Sequence, residues 1–231
     1  IAQCLVGSEM CIRDRSMIME QIDLLIKRYP SLGNCKADIY AAFEILRDSY
    51  VANGKLLVCG NGGSAADSEH IVGELMKEFL KKRKVFAEQA EAMKAINLEM
   101  GQYLAENLQG ALPAIALTGH SALSTAFMND SESVLVFAQQ VNGYGRQGDV
   151  FWGISTSGNS ANVVYAAITA KARGLKVIGL TGMKESKLSV LADVCIRVPE
   201  TETFMIQELH LPVYHCLCLM LEDTFFKENM K

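Results

Sequence analysis

Five short, almost unbroken apolar runs, each followed by a stretch of helical spacing, constrain this chain most: KLLVCG, AIALTG, DVFWGIS, KVIGLTG and DVCIRVP. A strand with one face in water alternates apolar and polar residues; a strand covered on both faces does not. Parallel neighbours also need a crossover long enough to hold a helix. The pattern therefore predicts an α/β fold, a three-layer αβα sandwich around a five-stranded parallel sheet. Ahead of the first strand, MEQIDLLIKRYP predicts a short helix stopped at Pro30, and ADIYAAFEILRDSYVANG a second that ends at Gly54. A long C-terminal helix is expected from about Met205 to Lys231. Between Lys81 and Pro113, FAEQAEAMKAINLEMGQYLAENL predicts a helical insertion bounded by KKRK, suited to a lid or an oligomer contact. No repeat or low-complexity linker interrupts residues 17–231, which read as one domain.

Composition narrows the partners. The 231 residues are 50% hydrophobic and 21% charged, with a net charge of −4. There is no basic excess to attract nucleic acid or a membrane surface. No apolar run approaches the roughly 20 residues of a membrane span. The 7 cysteines lack paired C-x-x-C spacing, which points to a reducing, cytoplasmic setting. In the opening IAQCLVGSEMCIRDR the arginines come last, the reverse of a secretory signal. The string resembles translated sequencing adaptor. Residues 1–16 are therefore expected to be a non-native or disordered tail, with the natural start at Met17 or Met19.

Open parallel sheets bind ligands beyond the carboxyl ends of their strands. After KLLV comes CGNGGSAAD, whose Gly60, Gly62 and Ala65 match a dinucleotide-binding turn. That reading also needs an acidic residue ending the second strand, and here that strand ends in Thr118, Gly119 and His120. No Gly-Lys-Ser/Thr triphosphate loop is present either, so no nucleotide cofactor is expected. After the third strand, STSGNS places Ser155, Thr156, Ser157 and Ser160 before a helix. Hydroxyls and free N–H groups at a helix start favour an anion. With no lysine or arginine in the loop, a sugar phosphate suits it better than a magnesium-bound triphosphate. The competing reading makes Ser160 an N-cap and the other serines turn residues. His70 and Glu74 are four apart on one helix face, either a functional pair or a solvated one. His215, among Val213, Tyr214, Cys216 and Leu217, reads by itself as a core histidine.

Three motifs in order, GNGGSAADSEH, ISTSGNS and IQELHLPVYH, resemble the sugar isomerase (SIS) domain family, most closely its phosphoheptose isomerases. The resemblance covers about Asn53 to Glu222, interrupted by the 81–113 insertion, and implies a flavodoxin-like sheet. It implies aldose–ketose exchange between sedoheptulose 7-phosphate and D-glycero-D-manno-heptose 7-phosphate through an enediol. In it Glu74 is the base and His215 the acid. The sugar phosphate would meet Asn61, Gly62, Gly63, Ser64, Asn129, Asp130, Ser155, Thr156, Ser157, Ser160 and Gln207. Some members bind zinc through positions matching His70, Glu74, Gln207 and His215, and the family forms homotetramers with sites at subunit interfaces. On one continuous helix Gln207 and His215 would lie about 12 Å apart along the axis. A shared metal therefore requires Gln207 to precede the helix, or a ligand from a neighbouring subunit. The chain also departs from the pattern: Phe204 and Met205 stand where an aspartate and an arginine are usual, and the residues after Asn129–Asp130 differ. Reaction type is thus better specified than the sugar. The alternatives are a non-catalytic adaptor for a replication initiator, a sugar-phosphate sensor, or an isomerase of another sugar phosphate. An adaptor has no need of Glu74 and His215, and a sensor that regulates transcription would carry a DNA-binding domain.

Overall fold

A computed structural model describes residues 12–226. Helices α1 (Ile12–Arg28) and α2 (Lys36–Val51) precede strand β1 (Leu56–Cys59) and helix α3 (Gly63–Met76). Then follow α4 (Ala87–Ile96), α5 (Leu98–Asn107), β2 (Ala114–Ala116), α6 (Ser121–Asp130), α7 (Val136–Tyr144) and β3 (Val150–Ile154). The chain continues through α8 (Ala161–Ala172), β4 (Lys176–Thr181), α9 (Lys187–Leu191), β5 (Val194–Arg197) and α10 (Thr203–Phe225). Of the expected tail, residues 1–11 lie outside the described residues and 12–16 begin α1.

The five strands form one parallel sheet in the order β2-β1-β3-β4-β5, the expected flavodoxin-like arrangement. Each apolar run supplies two cores because alternate side chains leave opposite faces of a strand. Leu56, Val58, Val150, Trp152 and Ile154 join Phe43, Leu46, Leu217 and Met220 on one face. Leu57, Cys59 and Phe151 join Val141, Val163 and Ala166 on the other. The order reverses between β1 and β3, so the helices that follow them lie on opposite faces and leave a crevice at the strand ends, the ligand site of such sheets.

Two features refine the sequence reading. Helix α10 starts at Thr203 rather than near Met205, and residues 227–231 fall outside the described residues. It has 23 residues and is apolar enough, by length and composition, to cross a membrane, contrary to the expectation of no such run. In the fold it is a core helix, with Val213, Leu217, Met220 and Leu221 fully buried in it. The insertion forms two helices rather than one, because Asn97 interrupts it and its side chain accepts from the Met100 N–H at 2.9 Å. A bridge between Lys84 and Gln109 closes the base of this hairpin.

Candidate functional site

The loops leaving β1 and β3 meet at the switch point. Asn61 and Asn162 each donate a side-chain amide to the other's carbonyl, at 3.0 and 2.8 Å, tying the β1 loop to the first turn of α8. Beside them Gly60, Gly62, Thr118, Ser124, Ser160 and Asn162 help line a cleft of about 630 Å³. Gly62 has φ +56°, and Gly60 lies so close to Ser64 that a Cβ would sit 2.6 Å from the serine backbone oxygen. Both positions exclude a side chain where the backbone lines the cleft. Ser64 is buried, and its carbonyl accepts the Ser68 hydroxyl at 2.8 Å.

In the β3 loop the buried Ser155 hydroxyl accepts from the Gly158 N–H at 3.1 Å and bonds the Ser160 hydroxyl at 3.1 Å. Ser157 is exposed and accepts from the Asn159 N–H at 3.2 Å, and the Thr156 carbonyl accepts from the Gly182 N–H at 3.0 Å. Ser160 does stand at the N-cap position of α8, but its hydroxyl caps nothing. It is held by Ser155 instead, facing the cleft. Asn129 and Asp130 end α6, exposed and hydrogen bonded to each other at 2.8 Å, and do not line the cleft.

A second cluster lies along α3 and α10. His70 Nε2 meets Glu74 Oε1 at 3.1 Å, and His70 Nδ1 meets the Tyr214 hydroxyl at 2.9 Å. Tyr214 also donates to Asp67 at 3.3 Å. The His70 and His215 rings stand edge to face with centroids 5.0 Å apart, and Phe79 packs on His215 at 5.4 Å. Burial lowers the His215 pKa below the ordinary histidine range, and the neighbouring His70 lowers it further. Burial raises that of Asp67. Glu74 Oε2 and His215 Nε2 are buried without a hydrogen-bond partner among the described residues, while Lys77 Nζ lies 3.5 Å from Glu74 Oε2 as an ion pair. Sequence reasoning missed Asn162, Asp67 and Tyr214, although Asn162 follows the serine loop by two residues and Tyr214 adjoins His215.

The two clusters are separate within one chain. Gln207 lies at the start of α3, where a Cβ on Gly63 would meet its amide nitrogen at 2.6 Å. Glu74 is eleven residues further along that helix, about 16 Å at 1.5 Å per residue. Gln207 does not precede α10, which runs unbroken through His215. The four candidate zinc ligands thus do not converge in one chain, and among the described residues no three His, Cys, Asp or Glu side chains form a metal-holding group.

The doubly wound parallel sheet, with neutral hydrogen-bonding groups gathered at its switch point, places the chain among the α/β proteins, and the model of the SIS domain matches residues 90–182. The chain belongs to the phosphoheptose isomerase family. It is 40% identical over 193 residues to the phosphoheptose isomerase of Rhodospirillum rubrum, covering 84% of this chain and 89% of that protein. The solved phosphoheptose isomerase from Neisseria gonorrhoeae is 33% identical with a TM-score of 0.66, covering 91% of this chain and 97% of that one. That from Francisella tularensis is 30% identical with a TM-score of 0.68, covering 90% and 96%.

Proposed function

We propose that this protein interconverts sedoheptulose 7-phosphate and D-glycero-D-manno-heptose 7-phosphate. The observation that carries the reading is the switch-point cleft, where the β1 and β3 loops offer hydroxyls, amides and the start of α8 to an anion, with no lysine or arginine among the described residues that line it. The phosphate would sit at Ser155, Ser157, Ser160 and the first N–H groups of α8, the sugar against Asn61–Ser64 and Gln207. Asn129 and Asp130 would reach it only if α6 moved or a second chain brought them.

Glu74 would remove a proton from C1 of the ketose to give an enediol and return one to C2. His215 would move the balancing proton between the two oxygens. A largely neutral imidazole, as its burial favours, can both accept and give that proton near neutral pH. His70, held by Tyr214, orients the Glu74 carboxylate. Zinc would need Gln207 of a neighbouring chain to join His70, Glu74 and His215, because Gln207 and His215 of one chain are separated along α10, and no step is routed through it.

An extended heptose phosphate spans roughly 10 Å from C1 to phosphorus with bonds of about 1.5 Å, too short to join Glu74 to the loops of its own chain. We therefore assign the complete site to two chains, the β1 and β3 loops of one and Glu74 and His215 of the other, in a homotetramer. The reaction itself is tested by NMR of sedoheptulose 7-phosphate with the protein in deuterated water. The expected result is an aldose heptose phosphate deuterated at C2; binding without conversion would favour the sensor or adaptor reading.

A further inference from the structure

Inside the KKRK run, Lys82 and Lys84 are exposed but Arg83 is 2% exposed. Its Nε donates to Glu222 Oε1 at 2.8 Å, in an ion pair whose side chains are 0% and 1% exposed. Its Nη1 and Nη2 donate to the carbonyls of Leu75 and Glu74 at 2.8 and 2.9 Å. The guanidinium also stacks over the Phe226 ring at 4.6 Å. Glu222 is fully engaged as well, accepting from the N–H groups of Phe79 and Leu80 at 2.9 Å each.

A buried ion pair is a poor device for stability alone, because desolvating two charges costs about what their attraction returns, and well-packed apolar residues often do as well. What this pair adds is geometry. One arm grips the carbonyl of Glu74 itself and of its neighbour, in the last turn of α3 where carbonyls lack helical partners. The other arm fixes the N–H of Phe79, whose ring packs on His215. Glu222 lies seven residues after His215, on nearly the same side of α10. The Arg83–Glu222 pair therefore touches the backbone supports of both Glu74 and His215.

We infer that Arg83 and Glu222 are positioning residues that hold Glu74 and His215 in mutual register for proton transfer. This rests on the proposed roles of Glu74 and His215. Arginine is required because its planar fork serves one carboxylate and two carbonyls together, whereas a lysine ammonium is a point charge. A displacement of about 1 Å in such a constellation is enough to cost on the order of 10²-fold in rate.

The test compares the full-length parent with Arg83→Lys and with the double variant Arg83→Met/Glu222→Leu, measuring kcat and KM for sedoheptulose 7-phosphate and the thermal midpoint. The expected result is a kcat at least tenfold lower in both, with KM within about twofold of the parent, since the phosphate loops are remote from the pair. The double variant should melt below the parent, because the carbonyls of Leu75 and Glu74 and the N–H groups of Phe79 and Leu80 lose these partners; kcat is therefore read well below its midpoint, where the loss will not trace to unfolding. Parental kcat in a folded double variant overturns the inference. If that variant does not fold, Arg83→Lys, which keeps the charge pair, decides by the same criterion. A parent without activity overturns the proposed function and the inference with it; an active parent whose Glu74→Gln variant keeps its kcat overturns the roles on which the inference depends.

Discussion

Mixing two inactive variants tests whether the site is shared between chains. Glu74→Gln keeps the shape and removes the base, with an expected loss of about 10²–10⁴-fold in kcat. Ser155→Ala with Ser157→Ala leaves the acid–base cluster intact and removes two hydroxyls from the anion loop. With hydrogen bonds to charged groups worth about 1.5–3 kcal/mol each, kcat/KM should fall by on the order of 10²-fold or more. If a site takes its loops from one chain and Glu74 from the next, a mixed pair holds one doubly damaged site and one fully intact one. Random association across an isologous interface then restores about a quarter of all sites. The assay is turnover of sedoheptulose 7-phosphate by co-expressed, differently tagged variants, set against each variant alone. The roughly 16 Å between Gly63 and Glu74 along α3 requires recovery. A co-purified mixture no more active than the average of its two components would refute the two-chain site and place catalysis within a single chain.

Three further outcomes are expected. Gly158 has φ +65°, and a Cβ there would meet Ser186 Cβ at 2.5 Å and run into its hydroxyl. Gly158→Ala should thus cost about 2–4 kcal/mol from backbone strain and overpacking, visible as a thermal midpoint lower by roughly 5–15 °C, and should raise KM; an unchanged midpoint would contradict the loop geometry. His210 is fully buried, and burial lowers its pKa from 6.5 to about 4. The folded state therefore prefers the neutral ring, so stability present above about pH 6.5 is lost as pH falls toward 4, by about 3 kcal/mol. Urea melts across that range should show a shallower slope for His210→Leu than for the parent. Gly63→Ala should displace the Gln207 amide, which a Cβ would meet at 2.6 Å. Its expected effect is on KM more than on kcat, read from steady-state kinetics.

The elements that carry short-range signals are legible in the chain itself. Unbroken apolar runs such as KLLVC and VFWGI predict strands buried on both faces, and the sheet places them so. Glycines and serines at CGNGG and STSGN mark loops at strand ends by their composition alone. Asn97, by contrast, splits the insertion through a single capping bond, a local feature obscured by the helix formers around it. Arg83 reads as one more solvated cation of KKRK, because nothing nearby in sequence announces Glu222 or the carbonyls of Glu74 and Leu75.

Sequence alone determined the α/β class, the glycine and serine loops and the pairing of His70 with Glu74, since each depends on residues a few positions apart and on the periods of helix and strand. Only the tertiary structure decided that Asn61 joins the β1 loop to Asn162 at the start of α8, that Glu74 lies far along α3 from them, and that a buried arginine grips its carbonyl. Those facts depend on which distant segments become neighbours. In a parallel sheet the strands adjacent in space are often far apart along the chain, and an ion pair is buried only where the surrounding packing encloses it.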